Sequence, residues 1–420
     1  MSFEINNYTK SREMFDRATK VIPSGVYGHL GPAEGCFIPV SAFPLFGDRA
    51  QGSYFWDVDG NKFIDYMCAY GPNVLGYNDP DVDAAAMAQA KICNCTTSPS
   101  TKMIEFAELL VDTVNCADWA FFAKNGGDVT TAAIMTARAA THRKKIVFVN
   151  GFYHGVAPWT QKVDYPGVIE EDVANNIYIP WNDVSAFENA IAENDGEIAA
   201  FIATPYMHGN FLDNELPADG YWQKIRELCT KNGIVLIIDD VRAGFRLDLA
   251  GSDHYYGFEA DLICFCKALA NGWNVSALCG KDFLKGAISG LSYTGSYWLS
   301  AVPFAAGIAC INKMKQLNTP ALFREKGLKL TNGLKAAAAN NGLNLVVSGE
   351  PALFYLRLAD DDSLMMHQEW VAEMVKRGIF VTSHHNHFMN ASLTDEDIAH
   401  TVEVAEEAFS VVRKNHPELG

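Results

Sequence analysis

The sequence predicts an α/β protein with a mostly parallel sheet covered by helices on both faces, and three features predict it. Short apolar runs at 234–239 and 261–265 lack polar alternation, which is typical of strands buried on both faces. Strand and helix patterns alternate from about residue 100 onwards. At 420 residues, of which 49% are hydrophobic, the chain is long enough for two or three domains with sizeable cores.

The first 65 residues predict a small β-rich segment. A short helix is expected at 12–21, followed by a loop rich in Gly and Pro at 23–32. Two apolar runs within 53–66 flank Asp59-Gly60-Asn61, whose residue types favour a β-hairpin turn. We expect residues 1–65 to join a small domain formed with the C-terminal part of the chain.

The central part of the chain predicts a large domain at 66–310 that holds the parallel sheet. Its expected elements alternate in the order of βαβ units. They are a helix at 100–115, a strand at 119–123, a helix after Gly126, strands at 146–149 and 199–203, a helix at 220–231, and strands at 234–239 and 261–265.

After residue 310 the pattern changes to amphipathic helices with a strand among them. The expected elements are helices at 321–341, 363–377 and 395–414, and a strand at 352–358. They predict a C-terminal small domain of the α+β type at 311–420, which is completed by the N-terminal segment.

Charge and hydropathy exclude several classes of partner. The net charge is −17 and the pI is near 5.0, so a nucleic acid or an anionic membrane would be repelled at long range. No run of eighteen apolar residues is present, and residues 1–8 lack a basic flank followed by an apolar core. We expect a cytoplasmic protein that acts on small molecules.

Two charged residues that follow neighbouring buried strands are the first candidates for a functional site. Asp239 ends the run at 234–239, and Lys267 follows the run at 261–265. Because ligand sites in parallel sheets lie at the carboxyl ends of the strands, both side chains are expected at one edge. Pyridoxal phosphate needs a lysine for its aldehyde and a carboxylate for its ring nitrogen. The alternative is that Asp239 caps a helix and Lys267 is a surface residue.

Two further segments follow predicted strands in the same way. Asn125, Gly126 and Gly127 lie between the strand at 119–123 and a helix, where backbone amides and the helix N-terminus can bind an anion. Tyr153 follows the strand at 146–149 and could stack on a flat ring. Alternatively, the glycines only allow a bend and the tyrosine belongs to the core.

Six motifs occur in an order that resembles a known family. They are Tyr54-Phe-Trp-Asp-Val-Asp-Gly-Asn, Asn125-Gly-Gly-Asp, Gly151-Phe-Tyr-His-Gly, Asp239-Asp-Val-Arg-Ala-Gly-Phe-Arg, Ala260-Asp-Leu-Ile-Cys-Phe-Cys-Lys and Leu393-Thr-Asp-Glu-Asp-Ile. This series resembles the class III aminotransferases of fold type I, which depend on pyridoxal phosphate and include glutamate-1-semialdehyde aminomutase. The resemblance spans nearly the whole chain.

The resemblance implies a role for each candidate residue. Lys267 would form the Schiff base with pyridoxal 5′-phosphate, and Asp239 would be the partner of the pyridine nitrogen. Ser296 would reach the phosphate bound to the neighbouring subunit, which implies a homodimer. The cofactor-binding residues that the resemblance implies include Tyr153 and Val241, one on each face of the ring. The others are Asn125, Gly126, Gly127, His154, Asp239, Lys267 and Ser296.

Departures from the family pattern concern the substrate. Aminomutase relatives carry an arginine for the substrate carboxylate where this chain has Gly31, and glycine cannot form that two-pronged contact. Residues 267–273 are more similar to aminotransferases than to aminomutases. Thr204-Pro205 replaces the usual Glu-Pro and removes a negative charge, with no clear consequence for substrate choice.

Several aromatic residues are candidates for substrate contact. The resemblance places Tyr70 towards the substrate, and Tyr27, His29 and the pair at 297–298 could add to an aromatic pocket for a bulky or apolar amine. Alternatively, these aromatics serve packing alone. His385 belongs to a cluster with His384 and His387, for which substrate contact or a solvated loop is favoured over a metal site.

The sequence therefore predicts an aminotransferase that moves an amino group from an amine or amino acid to an aldehyde or keto acid. Within the family, the alternative is an isomerase, either a 2,1-aminomutase or an amino-acid racemase. From other classes, a nucleotide-binding oxidoreductase or a non-catalytic binding module remains, although no Gly-x-Gly-x-x-Gly follows an early strand.

Overall fold

The computed structural model describes residues 5–26, 42–359, 361 and 363–417 of the chain. The strands are β1 (Gly47–Gln51), β2 (Tyr54–Asp57), β3 (Lys62–Asp65), β4 (Trp119–Ala123), β5 (Lys145–Val149), β6 (Asn176–Ile179), β7 (Ile198–Ala203), β8 (Val235–Asp239), β9 (Leu262–Phe265), β10 (Ser276–Gly280), β11 (Leu345–Glu350), β12 (Leu353–Leu358), β13 (Ile379–Phe380) and β14 (His387–Phe388).

The helices alternate with these strands through the middle of the chain, as predicted. They are α1 (Thr9–Ala18), α2 (Pro80–Ile92), α3 (Lys102–Thr113), α4 (Gly126–Thr141), α5 (Glu170–Val173), α6 (Val184–Glu193), α7 (Tyr221–Asn232), α8 (Ser252–Tyr255), α9 (Asp282–Ser289), α10 (Ala301–Leu317), α11 (Thr319–Asn340), α12 (Met365–Lys376) and α13 (Asp395–Asn415).

The chain forms two compact units. Unit 1 consists of Met1–Asp79, Asn210–Asn214 and Ala321–Gly420, and unit 2 consists of Pro80–Gly209 and Glu215–Pro320. The short segment Asn210–Asn214 therefore leaves unit 2 and returns to it within five residues. The domain boundaries that we predicted from the sequence, at 65/66 and 310/311, stay a prediction.

Unit 2 contains one large sheet with the strand order β4-β10-β9-β8-β7-β5-β6. The pairs from β9 to β6 are all parallel, whereas β10 pairs antiparallel with both β4 and β9. Strands β7, β8 and β9 are buried over their full length, as their unbroken apolar sequences predict. The predicted α/β class with a mostly parallel sheet is confirmed.

Helix α4 covers one face of this sheet and packs against β7, β9 and β10. Its buried side is made of small residues, including Ala132, Ala133 and Ala137, which are fully buried. Small side chains let the helix lie close to the strands and fix the direction of its N-terminus. That N-terminus follows β4 directly, so the core packing positions the segment at 125–127.

Unit 1 contains two smaller sheets, with the strand orders β1-β2-β3-β13 and β11-β12-β14. The predicted hairpin is present as the antiparallel pair β2 and β3. Its turn is held by Asp57, whose Oδ1 accepts hydrogen bonds from the amides of Asp59 (3.0 Å) and Asn61 (2.8 Å). Gly60 has φ +88°, the left-handed conformation that the turn sequence predicts.

In the part of the chain that the structure describes, no helix combines the length and the apolar character needed to cross a membrane.

Candidate active site

Three neighbouring parallel strands of unit 2 end at the same edge of the sheet. β7 ends at Ala203, β8 at Asp239 and β9 at Phe265, and the register pairs Ala203 with Ile238 and Asp239 with Cys264. Lys267 follows two residues after β9 and begins a short 3₁₀ turn. Asp239 and Lys267 therefore lie at the carboxyl edge of adjacent strands, as the sequence predicted.

Asp239 is held by two contacts that define its orientation. Its Oδ2 lies 2.7 Å from Nδ1 of His154, and its Oδ1 accepts a hydrogen bond from the amide of Val241 at 3.2 Å. Both side chains are buried, with relative exposures of 4% for Asp239 and 3% for His154. Thr130 Oγ1 donates to the carbonyl of His154 at 2.7 Å, so α4 fixes the loop that carries the histidine.

The turn at Asn125, Gly126 and Gly127 forms the N-terminus of α4. Asp128 Oδ2 accepts hydrogen bonds from the amides of Lys124 (3.2 Å) and Asn125 (2.8 Å). The amides of the two glycines that follow belong to the first turn of the helix, where backbone donors lack a partner within the helix. A helix N-terminus of this kind is a favourable position for an anion.

The same turn is packed closely against two other predicted segments. A Cβ built on Gly126 would lie 2.9 Å from Cγ1 of Val241, and a Cβ built on Gly155 would lie 2.7 Å from the Cα of Gly127. A side chain at Gly126 would therefore displace the Val241 side chain, and one at Gly155 would force two backbone segments apart. The structure thus brings the glycine turn, the segment after β5 and the segment after β8 into contact.

Lys267 has an unusual pKa for a lysine. Burial, followed by the charge of the Arg242 guanidinium, lowers the pKa of its amine from 10.5 to about 7. Lys124, one residue before the glycine turn, is a second lysine of this type, since burial lowers its pKa to about 8. Its Nζ donates a hydrogen bond to the carbonyl oxygen of Asn274 at 3.1 Å, so this amine has a structural role.

Arg242 is a site residue to which the sequence analysis gave no role. Its Nη1 donates to the carbonyl oxygen of His208 at 2.5 Å. Its guanidinium also interacts electrostatically with Asp239, Tyr153 and Lys267. Two arginines one helical turn apart in Asp239-Asp-Val-Arg-Ala-Gly-Phe-Arg246 are a sequence signal that could have drawn attention to it.

Asp240, next to the site carboxylate, has a different environment. Its Oδ1 accepts from the Ser252 hydroxyl at 2.6 Å and its Oδ2 from the Ser252 amide at 2.9 Å. Burial raises the pKa of this carboxyl to about 7. Asp240 therefore anchors the turn after β8 to the start of α8.

Tyr153 and Ser296 are more exposed than the residues above. Tyr153 has a relative exposure of 54%, although its hydroxyl is close enough to Asp239 for that carboxylate to contribute to its raised pKa. Ser296 is exposed, and its carbonyl accepts a weak hydrogen bond from Sγ of Cys95 at 3.7 Å. Among the residues that the structure describes, neither has a contact that defines a role for its side chain in cofactor binding.

The predicted substrate residues Tyr70 and His385 lie together in unit 1. Their rings meet edge to face with centroids 5.2 Å apart. Tyr70 is the last of three consecutive non-glycine residues with positive φ, at 48°, 55° and 64°, a conformation that is costly for residues other than Gly and Asn. The buried Asp65 carboxylate accepts from the Met67 amide at 2.7 Å and stabilises this turn. Tyr27, His29 and Gly31 lie outside the described residues.

The histidine cluster of unit 1 is buried. His384, His385 and His387 have relative exposures of 2%, 3% and 0%, so the solvated-loop alternative is wrong for them. His387 Nε2 accepts a hydrogen bond from the Thr382 amide at 3.1 Å. Within the described ranges, no group of three or more His, Cys, Asp or Glu residues is arranged to hold a metal ion.

Three independent features of the site in unit 2 fit pyridoxal phosphate. A buried carboxylate is braced by a histidine, a lysine amine has a pKa near 7, and a glycine turn at a helix N-terminus offers backbone donors. Each corresponds to one polar part of the cofactor, namely the ring nitrogen, the aldehyde and the phosphate.

Comparison with known proteins agrees with this fit. The solved structure of the FumI protein of Sphingopyxis sp. MTA144, in its PLP internal aldimine form, matches with a TM-score of 0.94 at 38% identity, covering 98% of this chain and 100% of that chain. The aminopentol aminotransferase of Sphingopyxis macrogoltabida is 38% identical over 413 residues, 98% of this chain and 97% of that protein. The glutamate-1-semialdehyde 2,1-aminomutase of Desulforamulus reducens is 32% identical over 438 residues, 97% of this chain and 99% of that protein.

The fold and these similarities define a pyridoxal-phosphate-dependent enzyme of fold type I. The family model described as Aminotransferase class-III matches residues 38–409, and the chain belongs to this family. It is therefore an aminotransferase whose substrates are a small-molecule amine and a carbonyl compound.

Proposed function

We propose that this aminotransferase uses Lys267 both to bind pyridoxal phosphate and to move the proton, and that its amine substrate is similar to aminopentol. The observation that carries the proposal is the placement of a lysine of pKa about 7 and a histidine-braced carboxylate at the ends of adjacent strands. Bound pyridoxal phosphate supplies a ring that accepts the electron pair left when a proton departs from the substrate carbon.

Asp239 keeps the ring nitrogen protonated in this proposal. A carboxylate stabilises a nearby cation, and the geometry allows Asp239 to accept from that nitrogen while Nδ1–H of His154 donates to Oδ2. His154 cannot easily move, because Thr130 holds its carbonyl. The histidine is thus a brace that keeps the carboxylate correctly oriented.

Lys267 carries the proton because its amine is neutral above about pH 7. The neutral Nζ is a nucleophile towards the aldehyde and, once displaced by the substrate amine, a base for the substrate proton. An ordinary lysine would be protonated at neutral pH and could do neither. Burial and the Arg242 charge are therefore part of the mechanism.

Asn125, Gly126 and Gly127 bind the phosphate through backbone amides at the start of α4. Val241 and Tyr153 contact the two faces of the ring. Support for the position of Val241 comes from its contact with Gly126, since this valine already lies against the glycine turn. Side chains of this kind orient the ring and exclude water from its faces.

We further propose a homodimer in which Ser296 reaches the phosphate bound to the partner subunit. The surface around Ser296 supports this, because the adjacent Tyr297 is a large side chain with an exposure of 70%. Ile92, which is 78% exposed, lies three residues before Cys95, whose Sγ donates to the Ser296 carbonyl. The segment after α2 is fixed to the same region, since the Ala301 amide donates to the Asn94 carbonyl at 2.9 Å. A cytoplasmic location stays a prediction.

The substrate proposal rests on the relatives. A protein 38% identical over nearly the full chain is named an aminopentol aminotransferase. Gly31, in place of the arginine that aminomutase relatives use, favours an amine without a carboxylate. Isomerisation is the alternative, because a glutamate-1-semialdehyde 2,1-aminomutase is 32% identical.

The test is to fix the cofactor with borohydride and to find the labelled peptide by mass. We expect the label on Lys267, and the Lys124→Gln variant should keep it there although Lys124 also has a lowered pKa. Aminopentol and a carbonyl acceptor are then supplied together. Transfer of nitrogen to the acceptor supports the proposal, whereas an isomer of one substrate with no acceptor needed favours the alternative. A label elsewhere, or none, would exclude Lys267.

A further inference from the structure

A pocket at the opposite edge of the large sheet is lined by basic side chains. Its volume is about 440 Å³. The lining residues are Arg138, His142, Arg143, Lys144 and Asn175. Lys145 begins β5, Asn175 directly precedes β6, and the two strands run parallel. The pocket therefore lies where these strands start. The candidate active site lies at their other end, about 16 Å away along the five residues of β5.

The turn after α4 holds the basic side chains in a defined arrangement. His142 is the first residue after the helix, with φ 56°, and its amide donates to the Arg138 carbonyl at 2.9 Å. Arg138 Nε in turn donates to the Lys144 carbonyl at 2.9 Å, so the chain is fastened back onto the last turn of the helix. The Ile146 amide donates to the Asn175 carbonyl at 3.0 Å, which fixes the remaining side of the pocket.

One of these basic residues has a structural role. Arg143 Nη1 donates to the carbonyl oxygens of Ile198 at 3.0 Å, Asn232 at 2.8 Å and Gly233 at 3.0 Å. Asn232 ends α7, and a cation is favourable at a helix C-terminus. This accounts for the position of Arg143. It does not account for Arg138, which makes no contact with α7 that involves its guanidinium.

Arg138 is a partly buried cation without an anion. Only its Nε is hydrogen-bonded among the residues that the structure describes, and its Nη1 and Nη2 have no acceptor there. Burial lowers the pKa of this guanidinium below its ordinary value, and no carboxylate opposes that shift. A bound anion would compensate the charge that burial leaves without a partner.

The neighbouring lysines show the same contrast. Lys145 is paired with the Glu197 carboxylate and also donates to the Asn194 side chain at 2.7 Å. Within the described ranges Lys144 forms no ion pair, although the charge of Glu197 acts on it at longer range. Lys144 is exposed, so its amine can turn towards the pocket. The carboxylate of this region is thus occupied by the one lysine that does not line the pocket.

The lining favours a compact ligand with more than one negative charge. Each of its five side chains can donate a hydrogen bond, and arginine and lysine are the usual partners of phosphate oxygens. The volume lies in the lower part of the range of about 300–1,000 Å³ that is typical of small-molecule sites. No aliphatic side chain lines the pocket. In a protein of net charge −17, an anion is attracted only where basic groups are concentrated in this way.

We propose that this pocket binds a diphosphate group, with Arg138 and Lys144 as its principal ligands. The diphosphate comes either from free pyrophosphate or from a nucleoside diphosphate, since both carry the same group. The proposal is independent of the function proposed above, because transamination uses the other edge of the sheet.

The experiment is isothermal titration calorimetry at low salt, because salt screens such contacts. Holoenzyme freed of excess cofactor is used, so that the glycine turn at 125–127 is already occupied. Pyrophosphate should bind once per chain. Arg138→Met should weaken binding by about 10-fold or more and Lys144→Gln by about 3- to 10-fold, because each removes a charged donor. Lys335→Gln, on an exposed part of α11, removes the same charge and is the control, with an affinity within about twofold of the wild type.

The results separate the site from a general effect of charge. Equal weakening by Lys144→Gln and Lys335→Gln would overturn the proposal, as would a wild-type dissociation constant above about 1 mM. Orthophosphate that binds as tightly as pyrophosphate would contradict the assignment to a diphosphate. ADP is titrated as well, and tighter binding than pyrophosphate identifies a nucleotide as the ligand, whereas equal or weaker binding identifies the free diphosphate.

Two features keep the test decisive. Arg138 fastens the turn after α4, so the melting temperature of Arg138→Met is measured alongside. Lys144→Gln keeps the backbone carbonyl that accepts from Arg138, and it therefore tests the pocket without releasing the turn. Nitrogen transfer by each variant should stay within about twofold of the wild type. Failure of the proposed function appears separately, as a missing label on Lys267 in the wild-type protein.

Discussion

Burial lowers the pKa of basic side chains in both units of this protein, but the consequences for their reactivity are opposite. In unit 2, burial and a neighbouring arginine lower the pKa of Lys267 from 10.5 to about 7. In unit 1, burial lowers the pKa of His367 from 6.5 to about 4 and that of His387 to about 3. The lysine arrives at a pKa where it can exchange protons at neutral pH, whereas the histidines remain neutral and inert.

The comparison teaches that desolvation alone does not make a reactive base. A lysine starts high enough that burial brings it to working pH, while the same burial takes a histidine out of that range. The groups next to Lys267 and His367 differ as well. Lys267 has Arg242 and Asp239 beside it, whereas neither ring nitrogen of His367 has a hydrogen-bond partner among the described residues.

The largest effect is expected at Lys267. Lys267→Ala should lower kcat by about 10⁴-fold or more, because it removes both the nucleophile and the proton carrier. Far-UV circular dichroism and the melting temperature should be unchanged or improved, since the variant no longer buries an amine. Turnover within tenfold of the wild-type value would remove Lys267 from the mechanism.

The second effect separates two adjacent carboxylates. Asp239→Asn should lower kcat by about 100- to 1000-fold, because the ring nitrogen loses its ionic partner. Asp240→Asn should keep kcat within about threefold, since an amide can accept from the Ser252 amide and donate to its hydroxyl. Asp240 has a pKa of about 7, so about half of this carboxyl is already protonated at neutral pH. Steady-state kinetics on both variants measure the two losses of kcat, and equal losses would contradict this prediction.

The third effect concerns the stability of unit 1 in acid. Above pH 6.5 His367 is neutral in both states, but between pH 6.5 and about 4 only the unfolded chain takes up the proton. The free energy of unfolding should therefore fall by about 3 kcal/mol over this window on account of His367. Asp361, Arg357 and Asp213 are the charged groups that act on it.

Denaturant unfolding between pH 7 and pH 4 measures this fall. His367→Met should flatten the acid side of the stability curve, because methionine has no proton to take up. His400→Met, at an exposed position of α13, is the matched control for the loss of a histidine. An unchanged slope in His367→Met would assign the acid sensitivity to other groups.

The smallest effect is a shift in a pH profile. The rate at which the cofactor attaches to the apoprotein should rise with pH and level off above about pH 7, as Lys267 loses its proton. Arg242→Met should move the midpoint upward, since the nearby positive charge opposes protonation of the amine. Rapid-mixing absorbance measurements follow this rate, and a midpoint near 10 in the wild type would show that Lys267 is an ordinary lysine.

Much of the fold follows from local sequence. The run at 119–123 was predicted as a strand and is β4, and the apolar runs at 199–203, 234–239 and 261–265 correspond to β7, β8 and β9. β6 and β10 were not predicted. Residues 276–280, Ser-Ala-Leu-Cys-Gly, are short and rich in small residues, and their antiparallel pairing depends on neighbours distant in sequence.

The site was predictable to the extent that strand ends determine it. Asp239 and Lys267 follow from the rule that ligands bind at the carboxyl ends of parallel strands. The role of Arg242 could not be found in this way, because its partner is the backbone carbonyl of His208, which any residue would supply. The position of the Arg242 guanidinium therefore depends on the backbone conformation of the loop after β7 and not on the type of side chain in that loop.

The order of the sheet β1-β2-β3-β13 has a consequence for synthesis on the ribosome. Unit 2, with Lys267, is complete once Pro320 has been made, but the free side of β3 pairs with Ile379 and Phe380. At 5 to 20 residues per second, β3 waits about 15 to 60 s for that partner. During this time the nascent chain presents an open strand edge, the kind of surface that pairs with other chains. Chaperones that shield the emerging N-terminus should therefore affect the yield of this protein more than those acting after release.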